Sequence, residues 1–82
     1  MTDHRFRAGE ERGKRIRRVA AHGYVAGKSP AECRLSEADY QALREELGAT
    51  PFGKEELRLY APHGVVRIYP DEGLEVGRFQ LS

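Results

Sequence analysis

The stretch that decides the fold is a pair of strand-like segments, Leu57-Arg58-Leu59-Tyr60 and Val65-Val66-Arg67-Ile68-Tyr69, joined by Ala61-Pro62-His63-Gly64. The first segment alternates apolar with polar or amphipathic residues. The second is rich in β-branched and aromatic residues, a composition that is typical of half-buried strands. Proline and glycine in the connection are typical of a tight turn. The stretch therefore predicts a β-hairpin.

The segment after the hairpin predicts one more strand. Pro70-Asp71-Glu72-Gly73 is a second turn pattern, and Arg78-Phe79-Gln80-Leu81 alternates again. The residues just before Gly77 have the opposite parity, so we expect a bulge or a loop there. We therefore predict a three-stranded antiparallel meander over residues 56–81. One face would carry Leu57, Leu59, Val66, Ile68, Phe79 and Leu81, and the other would carry Arg58, Tyr60, Arg67 and Tyr69.

The clearest helix lies before this meander. Ser36 is a suitable N-cap, because its hydroxyl accepts from the free amides of a first helical turn, and Gly48 is a natural stop. The apolar positions are spaced i, i+3 and i+7 and are Tyr40, Leu43 and Leu47. We predict an α+β fold in which one central helix of about Glu37 to Leu47 packs on the antiparallel meander, with residues 48–55 as a linker.

Residues 15–26 fit two structures. A helix from about Glu10 to His22 would place its apolar residues on one face and end at Gly23. It would also contain Gly13, at a cost of roughly 1 kcal/mol relative to alanine. A strand from Ile16 to Val25 would instead pair with residues 32–35 across a turn at residues 27–30. We prefer the strand and leave the helix open.

Residues 1–14 contain one large apolar side chain after the initiator methionine, Phe6, together with Gly9 and Gly13. This composition predicts a flexible basic arm. The predicted organisation is therefore a basic N-terminal arm over residues 1–14 and a single small α+β domain over residues 15–82.

The charges are divided unevenly along the chain. Residues 1–28 hold eight lysines and arginines against three acids, a net charge of +5, and residues 29–82 hold six against ten, a net charge of −4. Such halves attract each other or an oppositely charged partner. A chain of 82 residues with 39% hydrophobic residues also has a small core, so association is a reasonable source of extra stability.

Composition limits the functional classes. No apolar run approaches the roughly 18 residues of a membrane span, and a single cysteine, Cys33, excludes an internal disulfide. We expect a protein of the cytoplasm, or of an assembly formed there. The three histidines and Cys33 show no metal-ligand spacing, and phosphate-binding glycine loops are missing from the sequence. A hydrolase with Cys33 as its nucleophile is a third interpretation. We predict no enzyme activity, no cofactor, no metal, no membrane association and no small-molecule substrate.

The arginine-rich N-terminal segment is the strongest functional candidate. Arginine forks suit carboxylates and phosphates. We predict a non-enzymatic protein-interaction or assembly module that docks through its basic arm and its sheet edges on a protein partner or another copy. The alternative is a small nucleic-acid-binding protein. Size, arginine content and missing catalytic motifs are similar in style to virus- or phage-encoded accessory proteins. The predicted binding residues are Arg5, Arg7, Arg12, Lys14, Arg15, Arg17 and Arg18.

Overall fold

A computed structural model describes residues 2–22, 31–50, 52–62 and 64–82 of the chain. These residues form a small α+β domain with two helices and a five-stranded mixed sheet. In chain order the elements are β1 (Thr2–Arg5), α1 (Arg12–His22), β2 (Glu32–Leu35), α2 (Glu37–Glu46), β3 (Leu57–Ala61), β4 (Gly64–Pro70) and β5 (Arg78–Leu81).

The predicted hairpin is present, but the predicted three-stranded meander is not. Strands β3 and β4 pair antiparallel, with Leu59 opposite Val66. The sheet order, however, is β1-β5-β2-β4-β3, so β2 lies between β4 and β5. It runs parallel to β4 and antiparallel to β5. The physical reason is the burial of β2: where Cys33 and Leu35 are fully buried, backbone N–H and C=O groups need hydrogen-bond partners, and strands on both sides supply them. His63, the expected turn residue, lies outside the described residues.

The preference for a strand over residues 16–25 was wrong where the structure describes it, because Arg12–His22 is the helix α1. Gly13 is buried in its first turn. A Cβ there would lie 3.4 Å from Cδ1 of Leu43 and 3.6 Å from Cδ2 of Leu59. The glycine that argued against the helix therefore lies where α1 packs against α2 and β3. The expected cap at Gly23 and the turn at residues 27–30 lie outside the described residues.

The expected flexible basic arm is not a separate arm, because its first described residues are part of the sheet. Strand β1 pairs antiparallel with β5, with Arg5 opposite Arg78. The chain continues in contact with the domain, since the amide of Phe6 donates to the carbonyl of Gly77 at 2.9 Å. The ring of Phe6 stacks on the ring of Phe79, with centroids 4.6 Å apart. An apolar ring and backbone pairing thus hold a segment whose composition suggests disorder.

Helix α2 begins where its cap predicts. The hydroxyl of Ser36 accepts from the amide of Asp39 at 3.2 Å, and Gly48 follows the helix with a φ of 71°.

The core lies between the two helices and one face of the sheet. Its members are Ile16, Ala20, Cys33, Leu35, Tyr40, Leu43, Leu57, Leu59, Val66, Ile68, Phe79 and Leu81. All six apolar residues predicted for the meander's inner face are among them. The opposite face of the sheet has no helix among the described elements. None of the described helices is long and apolar enough to span a membrane.

Candidate interaction surfaces

Arg12 is a predicted binding residue whose side chain makes its contacts within the domain. Its Nε donates to Oδ1 of Asp39 at 3.0 Å, and a terminal nitrogen donates to Glu46 at 3.3 Å. The hydrogen bond that Arg12 donates to Asp39 is the largest cause of its raised pKa. The Glu46 carboxylate also accepts from the amides of Arg12 and Gly13, at 3.1 and 3.3 Å. An acid at the end of α2 thus caps the start of α1, and Arg12 is committed to this junction.

Four other predicted residues line one edge of the domain, which we call the basic edge: Arg5, Arg7, Arg15 and Arg18. A cleft of about 310 Å³ lies among Arg7, Arg15 and Arg18, and includes His4. A second cleft of about 530 Å³ adjoins it through His4 and Arg15 and adds Arg5. Strand β1, helix α1 and the loop between them therefore bring together cations that are up to thirteen positions apart in sequence.

Acidic side chains are interleaved with the basic edge. Glu10 lies 3.0 Å from Arg18 and 4.0 Å from Arg15, and Glu75 lies 3.3 Å from Arg5. Arg15 also donates to the carbonyl of Arg5 at 3.2 Å. Because acids lie between the cations, the electrostatic potential along this edge changes sign and is not uniformly positive.

His4 also lies at the basic edge. It stacks on Phe79, with centroids 5.3 Å apart, and lines both clefts. Burial lowers the pKa of His4 below its usual value, and the nearby charge of Arg15 lowers it further. The neutral imidazole is therefore the favoured form near pH 7.

The remaining two predicted residues, Lys14 and Arg17, are exposed on the outer side of α1. Together with Arg18 they are spaced i, i+3 and i+4, so they share one helical face. Arg7, Lys14 and Arg17 have no salt bridge to any other described residue. These three cations are free to meet an outside group.

The uncovered face of the sheet, called here the open face, is a surface that sequence reasoning found only in part. Its cations come from all five strands and are Arg5, Arg34, Arg58, Arg67 and Arg78. The guanidinium of Arg34 lies over the ring of Tyr69, 5.5 Å from its centroid, and Tyr60 is 70% exposed. Sequence reasoning did not place Arg34 and Arg78 on this face, because the side of the sheet on which they lie depends on the strands with which β2 and β5 pair.

Acids also accompany the open face. Glu56 lies 2.8 Å from Arg58 and 3.5 Å from Arg67. Asp3 lies 3.0 Å from Arg78. The surface is therefore a network of exposed ion pairs, each of modest energy.

The loop between α2 and β3, treated above as a linker, has a defined structure. Arg44 of α2 is fully buried and donates to the carbonyls of Thr50 and Glu55, at 2.9 and 3.1 Å. It also forms an ion pair with the carboxylate of Glu55 and lies 3.4 Å from the Tyr40 hydroxyl. A Cβ at Gly53 would collide with the Arg44 and Glu55 side chains. A glycine after proline and phenylalanine was the only sequence signal for this turn.

In the described part of the chain, the structure bears on two chemical possibilities, a metal site and a nucleophilic Cys33. Among those residues, no group of three or more His, Cys, Asp or Glu side chains is placed to hold a metal ion. Cys33 is fully buried, and burial raises its pKa to about 12, which disfavours a nucleophilic thiolate. Comparisons with protein-family models, with curated proteins and with solved structures found no match to this chain.

Proposed function

We propose that this protein is a non-enzymatic interaction or assembly module that docks through the cations of β1, α1 and the loop between them on an acidic surface of another protein or another copy. The observation that carries the proposal is the exposure of Lys14 and Arg17 on α1 and of Arg7 in the loop between β1 and α1, beside cations that already have acidic partners. Because Lys14 and Arg17 start from a helix, and Arg7 from a short loop between an edge strand and that helix, less backbone entropy is lost on binding than with a flexible arm.

The interleaved acids favour a protein partner over a polyanion. Glu10 and Glu75 occupy some of the guanidinium groups of the basic edge, and they would repel a continuous row of phosphates. A protein surface can match an alternating pattern with its own alternating charges, which gives specificity. The outermost strands, β1 and β3, offer a second means of contact by strand addition.

The test is retention of a partner on immobilised protein at low salt. The test variant combines Arg7→Ala, Lys14→Ala and Arg17→Ala. Its matched control combines Arg34→Ala, Arg58→Ala and Arg67→Ala, which removes the same charge from the open face. We expect wild type and control to retain a polypeptide that high salt releases, and the test variant to lose it. If the wild type neither self-associates nor retains a polypeptide, or if the test variant binds as well as the wild type, the proposal is wrong.

A second candidate, binding of single-stranded nucleic acid, is favoured by one specific observation. On the open face a guanidinium stacks on Tyr69, and Tyr60 is exposed on the same face near Arg58 and Arg67. Cations beside stackable rings are typical of single-strand-binding sheets. This candidate makes the reciprocal prediction for the same two triple variants. The variant that lacks Arg34, Arg58 and Arg67 should lose affinity for a labelled oligonucleotide, and the variant that lacks Arg7, Lys14 and Arg17 should keep most of it. Binding should weaken with salt by a slope of about 0.7 per phosphate contacted. Absence of binding at low salt excludes it.

A further inference from the structure

Phe52 has a backbone conformation that its side chain disfavours. Its φ is 54°, and among the described residues other than glycine it is the one with a positive φ. Gly53 donates to the carbonyl of Thr50 at 3.0 Å, which places Phe52 at the third position of a four-residue turn. Glycine or asparagine is the usual residue where such a position has a positive φ. For a bulky residue this is a genuine outlier. The fold therefore maintains an unfavourable conformation at this residue.

The strained conformation does not serve the core, because Phe52 is 79% exposed. Its amide donates to Oε1 of Gln41 at 3.1 Å, and the loop on either side is held by the buried Arg44 through Thr50 and Glu55. The ring is thus presented to solvent on a fastened loop. Exposed aromatic side chains on rigid supports are typical anchors of protein interfaces, since little entropy is lost when they are covered. Strain that does not serve packing is a signal of function.

The surface beside Phe52 is the outer side of α2. Phe52, Gln41, Ala42 and Glu45 line a shallow groove there. Glu37 lies one turn before Gln41, accepts from the Nε2 of its side chain at 3.0 Å, and is exposed like Glu45. The outer side of α2 is therefore acidic, with small residues between the acids and an aromatic ring at its border. Lys54 in the same loop is also exposed and offsets one of these charges.

The outer side of α1 has the opposite charge. Lys14, Arg17 and Arg18 are exposed there, while Gly13, Ile16 and Ala20 are buried on the inner side. Helices α1 and α2 contact each other through Gly13 and the side chain of Leu43. The outer layer of the domain thus carries one basic helix directly beside one acidic helix.

A layer of this kind is complementary to itself. When two copies face each other across a two-fold axis, α1 of each lies on α2 of the other, and both contacts pair cations with acids. Two-fold dimers with such isologous contacts are the commonest closed assemblies. Arginine side chains also stack favourably on a phenylalanine ring.

We propose that the helical layers of two copies pack face to face, with α1 of each copy on α2 of the other and with Phe52 as the anchor against the arginines of the facing α1. This inference rests on the proposed function and names its partner as a second copy of the chain. The strain at Phe52 then has a use, because the turn holds the ring where the second copy meets it.

The decisive measurement is molar mass by light scattering and sedimentation across a concentration series at low salt. We expect the wild type to move from the chain mass of 9.3 kDa toward twice that value, and high salt to shift the transition to higher concentration. Phe52→Gly should weaken association by at least about tenfold while its thermal midpoint equals or exceeds that of the wild type, since glycine relieves the positive φ. Tyr60→Ala, an exposed aromatic on the open face, is the matched control and should associate normally.

Charge reversal tests the pairing of the two helices. Glu45→Arg alone and Arg17→Glu alone should each abolish association, because each places like charges opposite one another. An equimolar mixture of these two variants should form a dimer again, since both contacts then pair opposite charges. A monomeric wild type at every concentration, normal association of Phe52→Gly, or a mixture that stays monomeric would overturn the inference. A monomer that still retains a polypeptide partner through Arg7, Lys14 and Arg17 would leave the proposed function standing with a different protein as the partner.

Discussion

The carboxylate of Asp39, buried in α2, accepts a hydrogen bond at 2.7 Å from the backbone amide of Gly77, which is 38 residues away in sequence. The same carboxylate accepts from the Ser36 hydroxyl at 2.9 Å and from Arg12 at 3.0 Å. One side chain therefore joins the cap of α2, the start of α1 and the loop before β5.

Replacing Asp39 with alanine should destabilise the fold by about 2–3 kcal/mol, because it leaves a backbone amide and a half-buried guanidinium without their acceptor. Urea unfolding followed by circular dichroism measures this directly. Glu72→Ala removes the same charge from an exposed loop and should change the free energy of unfolding by less than about 0.5 kcal/mol. Equal effects of the two substitutions would contradict the role given to Asp39.

Arg44→Lys should loosen the loop that carries Phe52. A lysine ammonium cannot reproduce the forked contacts of Arg44 with Thr50, Glu55 and Tyr40, so we expect a loss of about 2 kcal/mol in stability. Chymotrypsin should then cleave after Phe52 faster than in the wild type under native conditions. The exposed Arg58→Lys is the control, and it should leave both stability and cleavage unchanged. Unaltered cleavage in Arg44→Lys would show that Arg44 does not hold the loop.

Two glycine-to-alanine substitutions should have opposite signs. At Gly13 a methyl group would meet the leucine side chains at ordinary contact distances, the nearest at 3.4 Å, so Gly13→Ala should stabilise α1 by about 0.5–1 kcal/mol. At Gly9 nothing lies within 4 Å, but the φ of 79° disfavours any side chain, so Gly9→Ala should destabilise by about 1 kcal/mol. Thermal unfolding of both variants checks the pair. A destabilised Gly13→Ala would mean that α1 and α2 cannot accommodate the methyl group.

Cys33 should make stability depend on pH in alkaline solution. Burial raises its pKa from the usual 9.0 to about 12 in the folded protein, so above pH 9 the unfolded chain loses a proton that the folded chain keeps. The contribution is present below pH 9 and is lost as the pH rises toward 12, at about 1.4 kcal/mol per pH unit. Cys33→Ala should show a shallower fall in stability over this range. Identical pH profiles, or rapid reaction of the native thiol with a disulfide reagent at pH 8, would contradict the burial of this thiol.

Local patterns predicted some elements well. Alternation and turn residues indicated the β3–β4 hairpin, and the Ser36 cap with its apolar stripe indicated α2, because these signals act over a few residues. The arrangement of the strands was not predicted, since the order of β4, β2 and β5 depends on pairings between distant segments. Helix α1 was missed because Gly13 was judged by its intrinsic cost, whereas in the fold the burial of Ile16 and Ala20 on the inner side of the same helix outweighs that cost.

The candidate binding residues were predicted by charge alone, and charge does not distinguish their roles. Arg12 belongs to a structural junction with Asp39 and Glu46, while Lys14 and Arg17, a few positions later, face outward. Phe52 gave no signal, because its significance lies in a dihedral angle and in its exposure.

The sequence by itself determined the fold class, the alternating faces of β3, β4 and β5, the cap of α2 and the uneven distribution of charge, because each depends on residue type and short-range periodicity. Only the tertiary structure decided that β2 runs through the middle of the sheet, that residues 2–5 form an edge strand rather than an arm, and that Arg44 is buried to hold the loop of Phe52. These outcomes depend on which distant surfaces exclude water together, and the free energy of that burial outweighs local propensity.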